Sequence, residues 1–179
     1  MKDKRAGDVM IPISKYVTVS QETSLVEVLQ ALENARASEQ ERAHRDVIVV
    51  TGSGDVIGKV TMLDIFRALE PNYRKVFKNA PKGTLTKGFV RKAMNDFNLW
   101  MEPVQSICAR GGNLKVSEVM HRPESIEFID EDDPLEKALH LYVMGVHQPL
   151  IVKKDGTITG ILRFGDIFEE VRTSILACV

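Results

Sequence analysis

Two seven-residue stretches carry the residue types from which a ligand site can be built: Gly58-x-x-Thr61-x-x-Asp64 and, near the C-terminal end, Gly160-x-x-Arg163-x-x-Asp166. Each follows a short apolar run and leads into Ile-Phe, at Ile65-Phe66 and Ile167-Phe168, so each reads as a strand passing directly into a helix. A threonine hydroxyl and backbone N–H groups at the first turn of a helix suit a phosphate, because that end offers unpaired donors and the positive end of the dipole. An aspartate one turn in can accept both hydroxyls of a ribose, and Gly58 lets backbone approach closely. The same spacing is also that of a capping box, in which Thr61 and Asp64 satisfy each other. In the second copy Arg163 stands where the hydroxyl is expected. Arginine cannot cap a helix N-terminus; it either forks onto a phosphate or pairs with Asp166 or Glu169 and closes the cleft. The first copy is therefore expected to be the better ribose-phosphate site, and the module to be asymmetric.

The elements that must hold these stretches repeat along the chain. Asp8-Val9-Met10-Ile11-Pro12 opens the first half, and Tyr16 to Val19 is a β-branched and aromatic run suited to an edge strand. Thr23 or Ser24 caps a helix with Glu27 as capping-box partner and Leu25, Val28, Leu29 and Leu32 on its buried face. Val47 to Val50 reads as a buried strand, Ser53-Gly54-Asp55 as a tight turn, and Val56 to Val60 as the returning arm of a hairpin. The helix that starts at Thr61 is stopped by Pro71. The second half repeats this order, Val119 and Leu135 matching Val9 and Leu25 at an offset of 110, Gly160 and Asp166 matching Gly58 and Asp64 at an offset of 102. The change of offset places eight extra residues of the first half in the stretch from Asn34 to Arg45. Asp133-Pro134-Leu135-Glu136 is an explicit helix start, with aspartate as the cap and proline in the first turn. The fold class this predicts is α+β, two β-α-β-β-α repeats with a helical insert between them.

These residues, the early Val-Met, the capped helix, the glycine turn and Gly-x-x-Thr-x-x-Asp-Ile-Phe, resemble the cystathionine-β-synthase-type (CBS) domain, and the two copies resemble a CBS pair, or Bateman module. The resemblance covers about residues 6 to 70 and 114 to 173. It implies two small three-stranded sheets with two helices each, packed with pseudo-two-fold symmetry, and clefts between them that bind adenine nucleotides. The motif carries over unchanged to Gly58, Thr61 and Asp64; at Arg163 the chain departs from it and at Asp166 returns to it. Residues before the central strand of each repeat, His44, Arg45, His147 and Gln148, are implied cleft contacts, with surface-loop positions as the plainer reading. The implied ligand is AMP, ADP, ATP or S-adenosylmethionine, with no required cofactor. The implied role is that of a regulatory or sensor module, working as a homodimer and reporting to an unidentified protein partner.

Charge and composition bound the alternatives. A net charge of -1 gives no global attraction to nucleic acid or to a membrane surface. No apolar run reaches the roughly 20 residues of a membrane span, so a cytoplasmic protein is expected. Cys108 and Cys178 read as two reduced thiols, and His44, His121, His140 and His147 show no close ligand spacing, so no metal site is expected. The chain lacks a nucleophile elbow, a P-loop and a dinucleotide fingerprint, which speaks against an enzyme. The domain limits are set at 1–70 and 113–179 for the repeats and 71–112 for the insert. From Pro71 to Lys92 the insert holds seven basic residues and no acidic one. Leu85, Phe89, Ala93, Phe97 and Met101 predict an amphipathic helix over about 84–101, followed by a flexible joint at Gly111-Gly112. Its basic residues read first as a solvated face balanced by the acidic run from Glu124 to Glu136. Two alternatives stay open: an interaction module with empty clefts acting through the linker helix, or a nucleic-acid-binding regulator using segment 74–92.

Overall fold

Both predicted repeats are present in the structure, a computed structural model that describes residues 3–38, 45–78 and 86–178. The first comprises β2 (Thr18–Ser20), α2 (Leu25–Ser38), β3 (Val47–Val50), β4 (Val56–Val60) and α3 (Met62–Leu69). The second comprises β5 (Phe128–Asp130), α8 (Leu135–Val143), β6 (Leu150–Lys154), β7 (Thr157–Leu162) and α9 (Phe164–Leu176). In each, the outer strand runs parallel to the central one and the hairpin partner antiparallel, giving the orders β2-β3-β4 and β5-β6-β7. The central strands carry the continuous apolar runs. Val47, Ile48 and Val49 and their counterparts Leu150, Ile151 and Val152 are all fully buried, as β-branched and aliphatic strands covered on both faces must be. Two clusters form around Leu25, Val28 and Val60 and around Leu135, Ala138 and Leu162. A third, containing Ile48, Ile151 and Ile161, fills the space between the sheets.

The chain order conceals an exchange between the halves. Helix α1 (Ala6–Val9) and strand β1 (Ile11–Pro12) precede the first repeat but pack on the second: β1 pairs antiparallel with β7, making the second sheet four-stranded (β1-β7-β6-β5) where three strands are expected, and Ala6 lies in the second repeat's core. Reciprocally, α7 (Val116–Val119) precedes the second repeat and packs with Leu25 and Val60 of the first. The backbone bonds follow the same pseudo-two-fold. Leu25 N–H donates to Leu114 O at 2.9 Å and Leu135 N–H to Lys4 O at 3.0 Å; Val116 N–H donates to Thr23 O and Ala6 N–H to Asp133 O, both at 2.9 Å. These contacts satisfy helix-start donors that would otherwise be orphaned. They also explain a difference at α8, whose expected Asp133 cap is displaced. Pro134 occupies the cap position, and Asp133 accepts from Asp130 N–H and Lys137 instead.

The exchange gives the two motif glycines their physical role. A Cβ on Gly160 would stand 2.4 Å from Met10 Sδ and 2.8 Å from Ile11 O, and one on Gly58 would stand 2.8 Å from Met120 Sδ and 3.3 Å from His121 O. The close approach read from Gly58 is thus made by the chain itself, where His121 bridges to Lys59. Gly160→Ala is expected to lower unfolding free energy by about 1–3 kcal/mol, the usual range for overpacking. Gly58→Ala should cost less, because the backbone carbonyl its Cβ would meet stands 3.3 Å away rather than 2.8 Å, and its closer obstacle is a flexible methionine side chain. Urea denaturation of the two variants checks the order.

The insert departs from its prediction. Helix α4 (Tyr73–Lys78) follows Pro71, and α5 (Lys87–Asp96) ends five residues before Met101 because Asn98 and Trp100 take left-handed backbone angles. Thr84 and Leu85 lie outside the described residues. Gly111-Gly112 is no joint: it lies inside α6 (Val104–Asn113), which rests against α2 and α3 and places Gly111 against Leu69. The insert's apolar face closes on itself, Val76, Ala93 and Leu99 packing with Tyr73, Phe89 and Phe97. Buried Glu70 holds this unit to α3 by accepting from Trp100 N–H at 2.7 Å. Among the described residues, the acidic run takes Arg5, Lys59, Lys137 and Lys154 as ion partners. The expected balance with the insert's basic face is not what those pairs supply.

Candidate ligand site between the repeats

The Thr61 helix start is a capping box. Thr61 Oγ1 donates to Asp64 Oδ2 at 2.6 Å, Thr61 N–H donates to the same oxygen at 2.9 Å, and Asp64 N–H returns to Thr61 Oγ1 at 3.4 Å. The other oxygen, Oδ1, faces His147 Nε2 at 3.5 Å and Arg67 at 3.9 Å. Burial raises the Asp64 pKa, but the His147 imidazole and the Thr61 donors outweigh it and leave the carboxyl below its usual range. Both groups assigned to a ribose-phosphate are therefore already engaged with the protein.

At the second copy, Arg163 takes the ion-pair arrangement. Its Nε and Nη2 donate to Asp166 Oδ2 and Oδ1 at 2.8 and 2.7 Å, a bidentate fork. The Asp166 carboxylate raises the guanidinium pKa against the effect of burial. This pair lines a cleft of about 970 Å³ between the repeats. One wall is the start of α9, from Arg163 to Asp166 with Glu169 beyond; the other is Thr61, Met62 and Leu63 of the first repeat. Arg45 and Asp46, which precede β3, and Gln148, which precedes β6, close one end, and Asp8 to Met10 of the exchanged segment close another.

Of the residues singled out by sequence, the cleft gathers Arg45, Thr61, Gln148, Arg163 and Asp166. Gly58, Asp64 and His147 belong to the pseudo-symmetric side, and His44 lies outside the described residues. The open cleft thus has Thr61 of the first copy on one wall and Arg163 and Asp166 of the second on the other. Sequence reasoning missed Asp8 and Asp46, and named Glu169 only as an alternative partner for Arg163. Asp8 arrives only through the exchange of the N-terminal segment, for which the chain order gives no sign. Asp46 had a signal, being the residue just before a central strand, as Gln148 is.

The pseudo-symmetric side is filled by the protein's own charges. Lys59, fully buried on β4, donates to His147 O and Pro149 O at 2.7 Å each and pairs with Glu127 Oε2 at 2.5 Å. Burial pushes the lysine's pKa down, and Glu127 opposes that. Burial pushes the Glu127 carboxyl up, while the Glu124 N–H, Lys59 and His121 hold it below its ordinary value. His121 Nε2 lies 2.7 Å from Glu127 Oε1, and the His121 and His147 rings stack at 4.0 Å.

Fold and cleft together define a two-repeat α+β module with an inter-repeat cavity. The family model for the CBS domain matches residues 6–71 and 116–173. The chain belongs to the CBS-domain family, as a tandem pair. No curated protein sequence matches it. Among solved structures it is similar to CBSX2 in complex with AMP, with 18% identity, a TM-score of 0.60 and coverage of 94% of this chain and 97% of that one. A conserved protein from Geobacillus kaustophilus shows 19% identity and a TM-score of 0.60, over 97% and 99% of the two chains. The CBS domain of a bacterial CNNM/CorC family Mg2+ transporter, in complex with ATP, shows 17% identity and a TM-score of 0.56, over 96% and 89%. Among the described residues no helix is long and apolar enough to cross a membrane.

Proposed function

We propose that this chain is a regulatory CBS pair that binds an adenine nucleotide or a related ligand in the cleft beside Arg163 and Asp166. The observation that supports this most directly is the cleft itself: about 970 Å³, within the usual size range for small-molecule sites, and lined by both repeats. A ligand touching both walls favours one arrangement of the repeats by its differential affinity for it. Entry of a phosphate draws the Arg163 fork from Asp166, and the released carboxylate then accepts from ribose hydroxyls. The cleft carries Asp8, Asp46, Asp166, Glu169 and Glu170 against Arg45 and Arg163. This acidic excess favours a single phosphate, a magnesium-bound polyphosphate or cationic S-adenosylmethionine over a bare triphosphate. Exposed Met62, Leu63 and Phe66 on α3 and Phe164 and Phe168 on α9 supply the apolar surface for a homodimer. No catalytic role is assigned.

Thermal melts with AMP, ADP, ATP and S-adenosylmethionine test the reading. A ligand at 100 times its Kd adds about 2.7 kcal/mol of stability, whereas no shift with any of the four at millimolar concentration removes it. Arg163→Ala is expected to weaken AMP about 10- to 100-fold, the worth of a charged hydrogen bond, and to weaken adenosine much less. Equal losses for both would remove Arg163 as the phosphate partner. A second reading, in which the insert is the working surface, draws on the exposure of Val90, Met94 and Met101 beside Lys87, Arg91 and Lys92. Melts unmoved by all four ligands would turn attention to it.

A further inference from the structure

The fold assembles a group of side chains that the linear sequence keeps apart. His121 and Glu127 lie at the entry to the second repeat and His147 just before β6, yet one ligand atom from each lies within 4.8 Å of the others. We propose that His121, Glu127 and His147 form a binding site for a divalent transition-metal ion of the zinc class. The proposal is independent of the nucleotide reading and concerns the opposite side of the repeat interface.

Three features support it. First, both ring nitrogens of His147 are shielded from solvent and lack a hydrogen-bond partner. Buried polar atoms are rarely left so, and imidazoles beside a carboxylate are a donor set suited to zinc. Secondly, the groups stand close enough to close on an ion. His147 Nε2 lies 3.5 Å from Asp64 Oδ1, whereas His121 Nε2 and Glu127 Oε1, 2.7 Å apart in a hydrogen bond, must move apart to admit one. Neighbouring ligands around a tetrahedral ion with bonds of about 2.0–2.2 Å stand roughly 3.3–3.6 Å apart. Asp64 of the first repeat is thus placed beside the fourth position. Thirdly, Glu127 and Asp64 place two carboxylates near one buried ammonium, that of Lys59, with the exposed Arg67 guanidinium 3.9 Å from Asp64. That ammonium contacts Oε2 of Glu127, leaving Oε1 toward the histidines. Lysine in that place is an outer-shell partner that orients a ligating carboxylate.

The stacked rings, 18° from parallel, do not yet point at one common position. Loading requires the His147 ring, which no hydrogen bond holds, to turn about its Cβ–Cγ bond toward His121 Nε2 and Glu127 Oε1. An ion so held ties the start of β6 to the entry of the second repeat, against the Asp64 wall of the first.

The test is a titration of the chelator-treated protein with Co2+, followed by visible absorbance, and with Zn2+, followed by calorimetry. It is run in a Cys108→Ser/Cys178→Ser background, because both thiols are exposed and could bind the ions themselves. Saturation at one ion per chain with the strong visible band of four-coordinate cobalt is expected. His147→Gln should then weaken binding by more than the 10- to 100-fold that loss of an outer-shell partner costs. His140→Gln, on the exposed face of α8, should leave it unchanged. Absence of saturable binding overturns the proposal, and so does binding that survives His147→Gln unchanged. His121→Gln should weaken binding likewise; should it fail to fold, the His147→Gln result decides alone, since the His147 ring has no hydrogen bond to lose. Nucleotide melts play no part in these outcomes, so failure here leaves the cleft reading standing, and the reverse holds too.

Discussion

Lys59→Met is expected to destabilise the protein by about 3–5 kcal/mol, the cost of breaking a buried ion pair by removing one partner. For a chain of this length that corresponds to a fall in melting temperature of roughly 6–20 °C. The cause is what the substitution leaves behind. Glu127, 3% exposed, loses its closest cation, and the carbonyls of His147 and Pro149 lose the only donor that Lys59 brings to them. Methionine fills the volume of the lysine stem, so the loss is electrostatic rather than a cavity. The double variant Lys59→Met/Glu127→Leu should recover much of it, because replacing both partners of a buried pair by apolar groups is often near neutral. Urea denaturation of wild type, both single variants and the double variant gives the coupling directly. A single variant within 1 kcal/mol of wild type would show that the pair contributes nothing net.

That lysine also marks the limit of what the sequence made legible. The strands and helices of the repeats could be read because their signals are local: continuous Val-Ile runs, the Gly54 and Gly156 turns, and capping residues that recur in the same order. Two copies that agree remove most of the ambiguity of a short apolar run. Contacts between residues more than 80 positions apart leave no such trace. Lys59 reads as the polar position of a strand and is instead wholly enclosed, its ammonium reaching a repeat that begins some sixty residues later. Linear spacing gives no sign that the histidines meet, yet 26 positions separate two rings that stack. In the insert, the four-residue apolar recurrence was real, but its later members pack through a turn. Asn98 and Trp100 reverse the chain so that Leu99 meets Val76 and Ala93. The candidate site was legible as residue types and not as an address. Gly-x-x-Thr-x-x-Asp describes a capping box as well as it describes a nucleotide cradle, and only the packing shows that Asp64 is engaged by Thr61 and Asp166 by Arg163, with Thr61 on one wall of the cleft and Arg163 and Asp166 on the other.

Removing residues 1–12 should destabilise the far half of the chain and spare the near one. The deletion takes away Ala6 from the second repeat's core, the β1 partner of β7, and the carbonyl of Lys4 that accepts from Leu135 N–H at the start of α8. Ile11 alone, buried between the sheets, is worth about 2–5 kcal/mol when cut to alanine. The whole segment should therefore cost at least that much. Native-state hydrogen exchange locates the loss: amides of β7 and α8, 120 or more residues downstream of the cut, should lose protection first. Those of β3 and α2 should open only with the global transition, because α7, their own covering segment, is untouched. Early loss in β3 and α2 with β7 retained would contradict the exchange. Uniform loss along the chain would instead mean that the third cluster, around Ile48 and Ile151, makes the two repeats one cooperative unit. In that case ligand binding in the cleft and occupation of the histidine site act on the same equilibrium.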